Sequence, residues 1–170
     1  MQLSLIARFA ADLATIWPED TRDGPLGLAV SGGADSLALL LLAHAALPGR
    51  IAVASIDHGL RPEAAGEVAL VERIAGERGI PFTALTVTLA AGNLQARARE
   101  ARYRALADWA KKSGLGAVAT AHHTDDQAET LLMRLNRGSG LGGLAGVRAR
   151  SVIGDGELLL LRPLLGWRKA

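Results

Sequence analysis

Apolar positions along this chain alternate between two rhythms. Residues 1–16 carry apolar side chains at helical spacing around Arg8 and Asp12, which predicts a short amphipathic helix packed on the rest of the chain. Leu26 to Val30 is a short apolar run that leads into a pair of glycines, as a buried strand would. Asp35 to Ala46 is apolar on nearly every side, the pattern of a helix buried against a sheet. Ile51 to Ile56 predicts a second buried strand, and Glu63 to Arg78 a helix closed by Gly79 and Pro81. Phe82 to Thr88 is rich in β-branched residues and reads as a strand. Asn93 to Lys112 reads as a long helix, with Asn93 as its N-cap and Gly114 just past its end. Leu115 to Ala121 is a fourth strand and Asp125 to Asn136 a further helix. Gly138 to Gly146 reads as a mobile loop, and Val147 to Arg162, turning at Gly154-Asp155-Gly156, as a β-hairpin.

Strand and helix in strict alternation, joined by short connections, demand parallel pairing with right-handed crossovers. The fold class is therefore α/β, an open parallel, Rossmann-like sheet with helices on both faces. In such sheets ligands bind beyond the carboxyl ends of the strands. That selects the loops after Val30, Ile56 and Ala121. The 170 residues suffice for one domain with a substantial core. Its centre is expected over residues 24–146, with 147–170 forming the hairpin and the start of a further C-terminal region.

Composition removes several function classes. The chain has no cysteine, so disulfides, thiolate zinc sites, iron–sulfur clusters and thiol catalysis are excluded within it. Aromatic residues are only 4% of the sequence, so the core must be built from Ala, Leu, Val and Ile. Nineteen basic against 17 acidic residues give a net charge of +2, too balanced to argue for nucleic acid by charge alone. The first sixteen residues lack a basic start and a cleavage site, and no apolar run is as long as a membrane span; the expected home is the cytoplasm, with no membrane partner.

The strongest local signal is Ser31-Gly32-Gly33-Ala34-Asp35-Ser36, between a strand and a helix. Glycines let the backbone turn and approach a ligand, and successive N–H groups at a helix start bind anions such as phosphate. The Gly-Lys-[Ser/Thr] ending of a Walker A loop is missing. The plainer reading of the segment is a strand–helix turn with a good N-cap. The second signal, His122-His123-Thr124-Asp125-Asp126-Gln127-Ala128-Glu129-Thr130, begins at a strand's carboxyl end. Asp126 and Glu129 share a helix face, as Asp125 and Glu129 could, although carboxylates at a helix start also serve as dipole partners. The paired histidines and aspartates do not complete a four-ligand zinc set. Arg97, Arg99, Arg102 and Arg104, followed by Lys111 and Lys112, form the most basic stretch. It is either a contact to RNA phosphates or a solvated helix face with Glu100 and Asp108 as partners. Trp17, Trp109 and Trp167 read as structural, and His44 as a packed side chain.

The hexapeptide 31–36 resembles the PP-loop of the N-type ATP pyrophosphatases, in the adenine nucleotide alpha hydrolase-like group. The segment from His122 through Arg137-Gly138-Ser139-Gly140 to Gly143-Leu144 narrows the resemblance to the tRNA(Ile)-lysidine synthetase family. Asp57-His58-Gly59-Leu60-Arg61, Ala98-Arg99-Glu100-Ala101-Arg102-Tyr103 and Arg162-Pro163-Leu164-Leu165 are similar to further segments of that family, in the same order. The resemblance implies a ligase that adenylates the wobble cytidine of the CAU-anticodon isoleucine tRNA with ATP and then joins L-lysine to it, releasing AMP and pyrophosphate. It implies that Ser31, Gly32, Gly33, Ala34, Asp35 and Ser36 bind ATP and that Asp35 holds Mg²⁺. It places His122, Asp126 and Glu129 at the reaction centre and at lysine recognition, with Arg102 near the substrate. Which of His122, Asp126 and Glu129 is the base stays open, as does a homodimer. The family's tRNA-gripping domains are expected beyond residue 170. Two alternatives remain: another PP-loop ligase, or a nucleotide-binding module without catalysis.

Overall fold

The computed structural model describes residues 2–59, 62–88, 94–123 and 147–168. Its chain order is α1 (Gln2–Ile16), a 3₁₀ turn (Glu19–Thr21), β1 (Leu26–Ala29), α2 (Ala34–Ala46), β2 (Ile51–Asp57), α3 (Pro62–Glu77), β3 (Phe82–Thr86), α4 (Leu94–Ser113), β4 (Ala117–Ala119), β5 (Arg150–Ile153) and β6 (Leu158–Leu161). The expected helix over 125–136, the loop over 138–146 and the Asn93 cap lie outside the described residues. The strands form one sheet in the order β3-β2-β1-β4-β6-β5. All neighbouring pairs are parallel except β5 with β6. The hairpin read at 147–162 thus extends the sheet: Leu159, Leu160 and Leu161 of β6 run in register with Ala117, Val118 and Ala119 of β4.

The fourth strand is shorter than the apolar run Leu115–Ala121 suggests. Gly114 turns at φ +63 and Leu115 donates its N–H back to Ala110, so both still belong to the end of α4. Thr120 leaves strand geometry although its N–H still donates to Leu161, and it starts the turn toward the site.

Strand periodicity sorts the core into two layers. On one face Leu26, Leu28, Ile51, Val53, Ala117, Ala119 and Leu161 pack with Phe9 and Leu13 of α1, Leu39 and Leu40 of α2, and Val71 of α3. On the other, Ala52, Ala54, Val118 and Leu160 pack against Leu106, Trp109 and Ala110 of α4. Helices therefore cover both faces, as the alternating pattern requires. Small residues on the second face make room for one large ring. A Cβ on Gly27 would lie 2.9 Å from the Trp109 ring and 2.7 Å from Leu115 Cδ1. Gly27→Ala overpacks this contact and is expected to lower stability by about 1–3 kcal/mol, read by urea unfolding followed at tryptophan fluorescence.

All three tryptophans are structural, as expected. Trp17 and Trp109 are buried. Trp167 donates its indole N–H to Asp12 at 2.7 Å, and Arg8 stacks 4.4 Å from the Trp167 ring centroid, tying the described C-terminus to α1. Among the described residues no helix is long and apolar enough to cross a membrane.

Candidate active site

The chain runs outward from β1 to β2 and β3, then returns to place β4 on the other side of β1. The strand order therefore reverses between β1 and β4, and a crevice opens beyond the carboxyl ends of these strands. The segment 31–36 leaves β1 there, and His122 and His123 leave β4 beside it.

The residue capping α2 is Gly33, in extended conformation, which has no side chain of its own to cap the helix; its N–H donates to the Ser31 hydroxyl at 3.4 Å. The first turn of α2 lines the crevice, and N–H groups at a helix start suit an anion. Ser36, one turn inside, organises the loop. Its hydroxyl donates to the Gly33 carbonyl at 2.9 Å and accepts from the N–H groups of Ser31 and Gly32, each at 3.2 Å. From below, the Ser55 hydroxyl donates to the Val30 carbonyl at 2.6 Å and fixes the end of β1 where the loop begins. Gly32 turns at φ +92, and a Cβ there would meet Glu67 Cβ at 3.0 Å. Gly32→Ala combines backbone strain with this close approach and is expected to weaken ATP binding about tenfold, roughly 1.4 kcal/mol, measured by calorimetry.

A cavity of about 540 Å³ lies over the loop, lined among others by Ser31, Gly33, Asp35, Ser36, Arg102 and His122. Three separate sequence signals, from the β1–α2 loop, the middle of α4 and the end of β4, thus converge on one space. Asp126 and Glu129 lie outside the described residues. His122 Nδ1 is hydrogen-bonded to the buried Thr120 hydroxyl at 2.8 Å, which orients the ring at the cavity wall. The Nε of Arg102 is buried without a hydrogen-bond partner among the described residues, a donor held ready for an acceptor in the cavity. His58, from the loop after β2, lines the same cavity, as the reading of the three strand ends anticipated.

The sequence profile of the PP-loop domain matches residues 6–170. The chain belongs to the PP-loop domain family. Similar proteins include the tRNA(Ile)-lysidine synthase of Novosphingobium aromaticivorans, 57% identical over 96% of this chain and 50% of that protein. That of Zymomonas mobilis is 52% identical over 86% of this chain and 46% of that protein. The chain spans about half the length of these curated relatives. Among solved structures, the U34-tRNA thiolase NcsA from Methanococcus maripaludis superposes with a TM-score of 0.75 at 16% identity, over 99% of this chain and 62% of that one. The NH₃-dependent NAD synthetase from Campylobacter jejuni superposes with a TM-score of 0.64 at 14% identity, over 99% of this chain and 69% of that one. These two likenesses establish the shared fold.

In this PP-loop domain one site feature escaped the sequence reading. His123, not only His122, belongs to the loop's surroundings: its Nε2 lies 3.1 Å from Asp35 Oδ2. The two residues are 88 positions apart in sequence, and only the pairing of β1 with β4 brings them together. The doubled histidine was the available signal, and it could not say which ring faces which way.

The basic stretch on α4 is also resolved into parts. Arg104 pairs with Glu100 at 2.9 Å on the exposed surface, as the solvated-face reading expected. Arg99 and Arg102 instead flank Tyr103, with guanidinium carbons 5.4 and 5.1 Å from its ring centroid. Burial by itself would raise the Tyr103 pKa. Arg102, Arg99 and Arg162 outweigh it by favouring the phenolate, and Tyr103 titrates below the ordinary phenol value. Tyr103 is the chain's single tyrosine, so ultraviolet absorbance of tyrosinate reads it alone. The expected midpoint lies below that of free tyrosine, and Arg99→Ala moves it upward. Because the folded pKa is depressed, the associated stability is present above the unfolded phenol pKa. It is lost as pH falls through the folded one, so it contributes only in alkali.

Proposed function

We infer that this PP-loop domain binds ATP over Ser31–Ser36 and cleaves it between the α- and β-phosphates to adenylate the wobble cytidine of the CAU-anticodon isoleucine tRNA. Lysine then displaces AMP to give lysidine. The observation that carries this reading is the convergence of the glycine-rich loop, Arg102 and His122 on one cavity. Their place in a chain more than half identical to proteins named tRNA(Ile)-lysidine synthase supports the substrate.

The chemistry asked of these groups is modest and specific. Backbone N–H groups at the start of α2 receive phosphate oxygens without reorganising, which favours the transition state over the ground state. Asp35 is a hard-oxygen ligand beside these phosphates, and the described residues hold no cluster of three or more His, Asp or Glu side chains able to hold a metal ion. One carboxylate beside substrate phosphates suits Mg²⁺, which keeps several waters and shares its shell with the nucleotide. When bound, the ion draws charge from the departing pyrophosphate. Arg102 offers its unpaired Nε to an oxygen of the activated base or its phosphate. The lysine ε-amine must lose a proton before it attacks, and His122, Asp126 or Glu129 accepts it. The reading carries with it a cytoplasmic setting, where the tRNA substrate is found.

Incubation with ATP, Mg²⁺, lysine and this isoleucine tRNA is expected to add one lysine, less one water, to the RNA by mass spectrometry. The same tRNA with uridine at the wobble position is expected to gain nothing. Modification of both tRNAs alike, or of neither while pyrophosphate is released with the first, would refute lysine ligation. A thiolating activity would require sulfur chemistry for which the chain supplies no cysteine.

A further inference from the structure

The two adjacent histidines divide between the two sides of Asp35. His122 lines the cavity over the PP-loop, together with Asp35. His123 does not. It lines a separate, mainly apolar recess behind Asp35, formed by Ala38 and Leu42 of α2 with Leu164 and Trp167. It is buried, 7% exposed, and its Nε2 meets Asp35 Oδ2 at 3.1 Å from that side. Asp35 itself is partly open, its side chain 38% exposed, and it lines both spaces. A carboxylate only accepts, so Nε2 carries the proton and donates.

We propose that His123 is a positioning residue: it anchors one carboxylate oxygen of Asp35 from behind and so sets the orientation in which Asp35 faces Mg²⁺ and the ATP phosphates. The proposal rests on the magnesium role of Asp35 given above. The physical ground is general: a metal-binding side chain is held in its productive orientation by a partner outside the ligand shell. Asp35 sits in the first turn of α2, where its carboxylate could otherwise swing toward the positive end of the helix and compete with the phosphates. A buried, donor-bearing ring on the far side opposes that swing. His123 does not line the cavity over the PP-loop and acts through Asp35.

The test separates orientation from folding. ATP binding to the whole chain is measured by calorimetry with excess EDTA and again with excess Mg²⁺, for the wild type and for His123→Leu, His123→Gln and Asp35→Asn. His123→Leu fills the recess without a donor; His123→Met replaces it should the leucine variant not fold. His123→Gln keeps an N–H donor near the place of Nε2. The wild type is expected to gain about tenfold in affinity on adding Mg²⁺, roughly 1.4 kcal/mol. His123→Leu and Asp35→Asn lose most of that gain, the magnesium-free affinity of His123→Leu stays within about twofold of the wild type, and His123→Gln restores the gain. Equal weakening of His123→Leu with and without Mg²⁺ would show a merely structural histidine and overturn the proposal, as would a full Mg²⁺ gain in that variant or a failure of His123→Gln to restore it. An Mg²⁺ gain that persists in Asp35→Asn, or is absent from the wild type, would overturn the magnesium role of Asp35 first, and the role of His123 with it.

Discussion

Asp35→Asn lowers the rate at which pyrophosphate is released from ATP by about 100- to 1,000-fold, while the protein stays folded. The side chain lies in the first turn of α2, partly exposed and lining the cavity, so its loss removes no core packing. What disappears is a charge. The amide keeps the shape and one acceptor but, on the proposed magnesium role of Asp35, can no longer neutralise a cation beside the triphosphate, and the cost is expected in the step in which negative charge grows on the leaving group. Steady-state kinetics of pyrophosphate release with Mg²⁺ separates the effects: kcat falls steeply, while KM for ATP rises by no more than the about tenfold Mg²⁺ gain in affinity that the variant loses. A large rise in KM at unchanged kcat would mean that Asp35 only helps ATP to bind.

Ser36→Ala has the second-largest expected effect and reports on the loop itself. The Ser36 hydroxyl is buried and joins three backbone groups, accepting from Ser31 and Gly32 and donating to Gly33. Alanine leaves two N–H groups and one carbonyl without that partner. Breaking such a network costs about 1–3 kcal/mol in stability. The same loss of order lets the loop sample shapes that do not fit a phosphate, so ATP affinity is expected to fall by roughly 10- to 100-fold, by the arithmetic that equates each tenfold step with 1.4 kcal/mol. Thermal unfolding with and without ATP checks both parts: the variant melts lower and is stabilised less by the nucleotide. Unchanged stabilisation by ATP would show that Ser36 is a structural hydroxyl alone.

The sheet was legible because each strand carries its own periodicity. Leu26–Ala29, Ile51–Asp57 and Phe82–Thr86 begin where the apolar runs begin. Strand ends were less legible. Leu115 is apolar because it packs against Gly27 and α4, not because it lies in β4, and hydrophobicity does not distinguish the two causes. The order of strands across the sheet is a tertiary property: nothing local in Leu158–Leu161 states that it pairs with β4 rather than closing a free-standing hairpin. The site shows the same division. Ser31–Ser36 was readable because glycine spacing encodes a backbone shape. Arg102 and His122 were readable through motif resemblance, and the cavity brings them to the loop. The bond from His123 to Asp35 was not readable, because it depends on β1 and β4 being neighbours. Nor could composition separate Arg104, which has a carboxylate partner, from Arg102, whose Nε has none among the described residues.

The central claim is that this PP-loop opens ATP between its α- and β-phosphates on behalf of a tRNA. The most direct measurement follows ATP labelled at the α-phosphate, with Mg²⁺, lysine and the CAU-anticodon isoleucine tRNA, resolving the nucleotide products. Label is expected in AMP, formed only when that tRNA is present. Label in ADP would mean cleavage at the γ-phosphate and would contradict that claim.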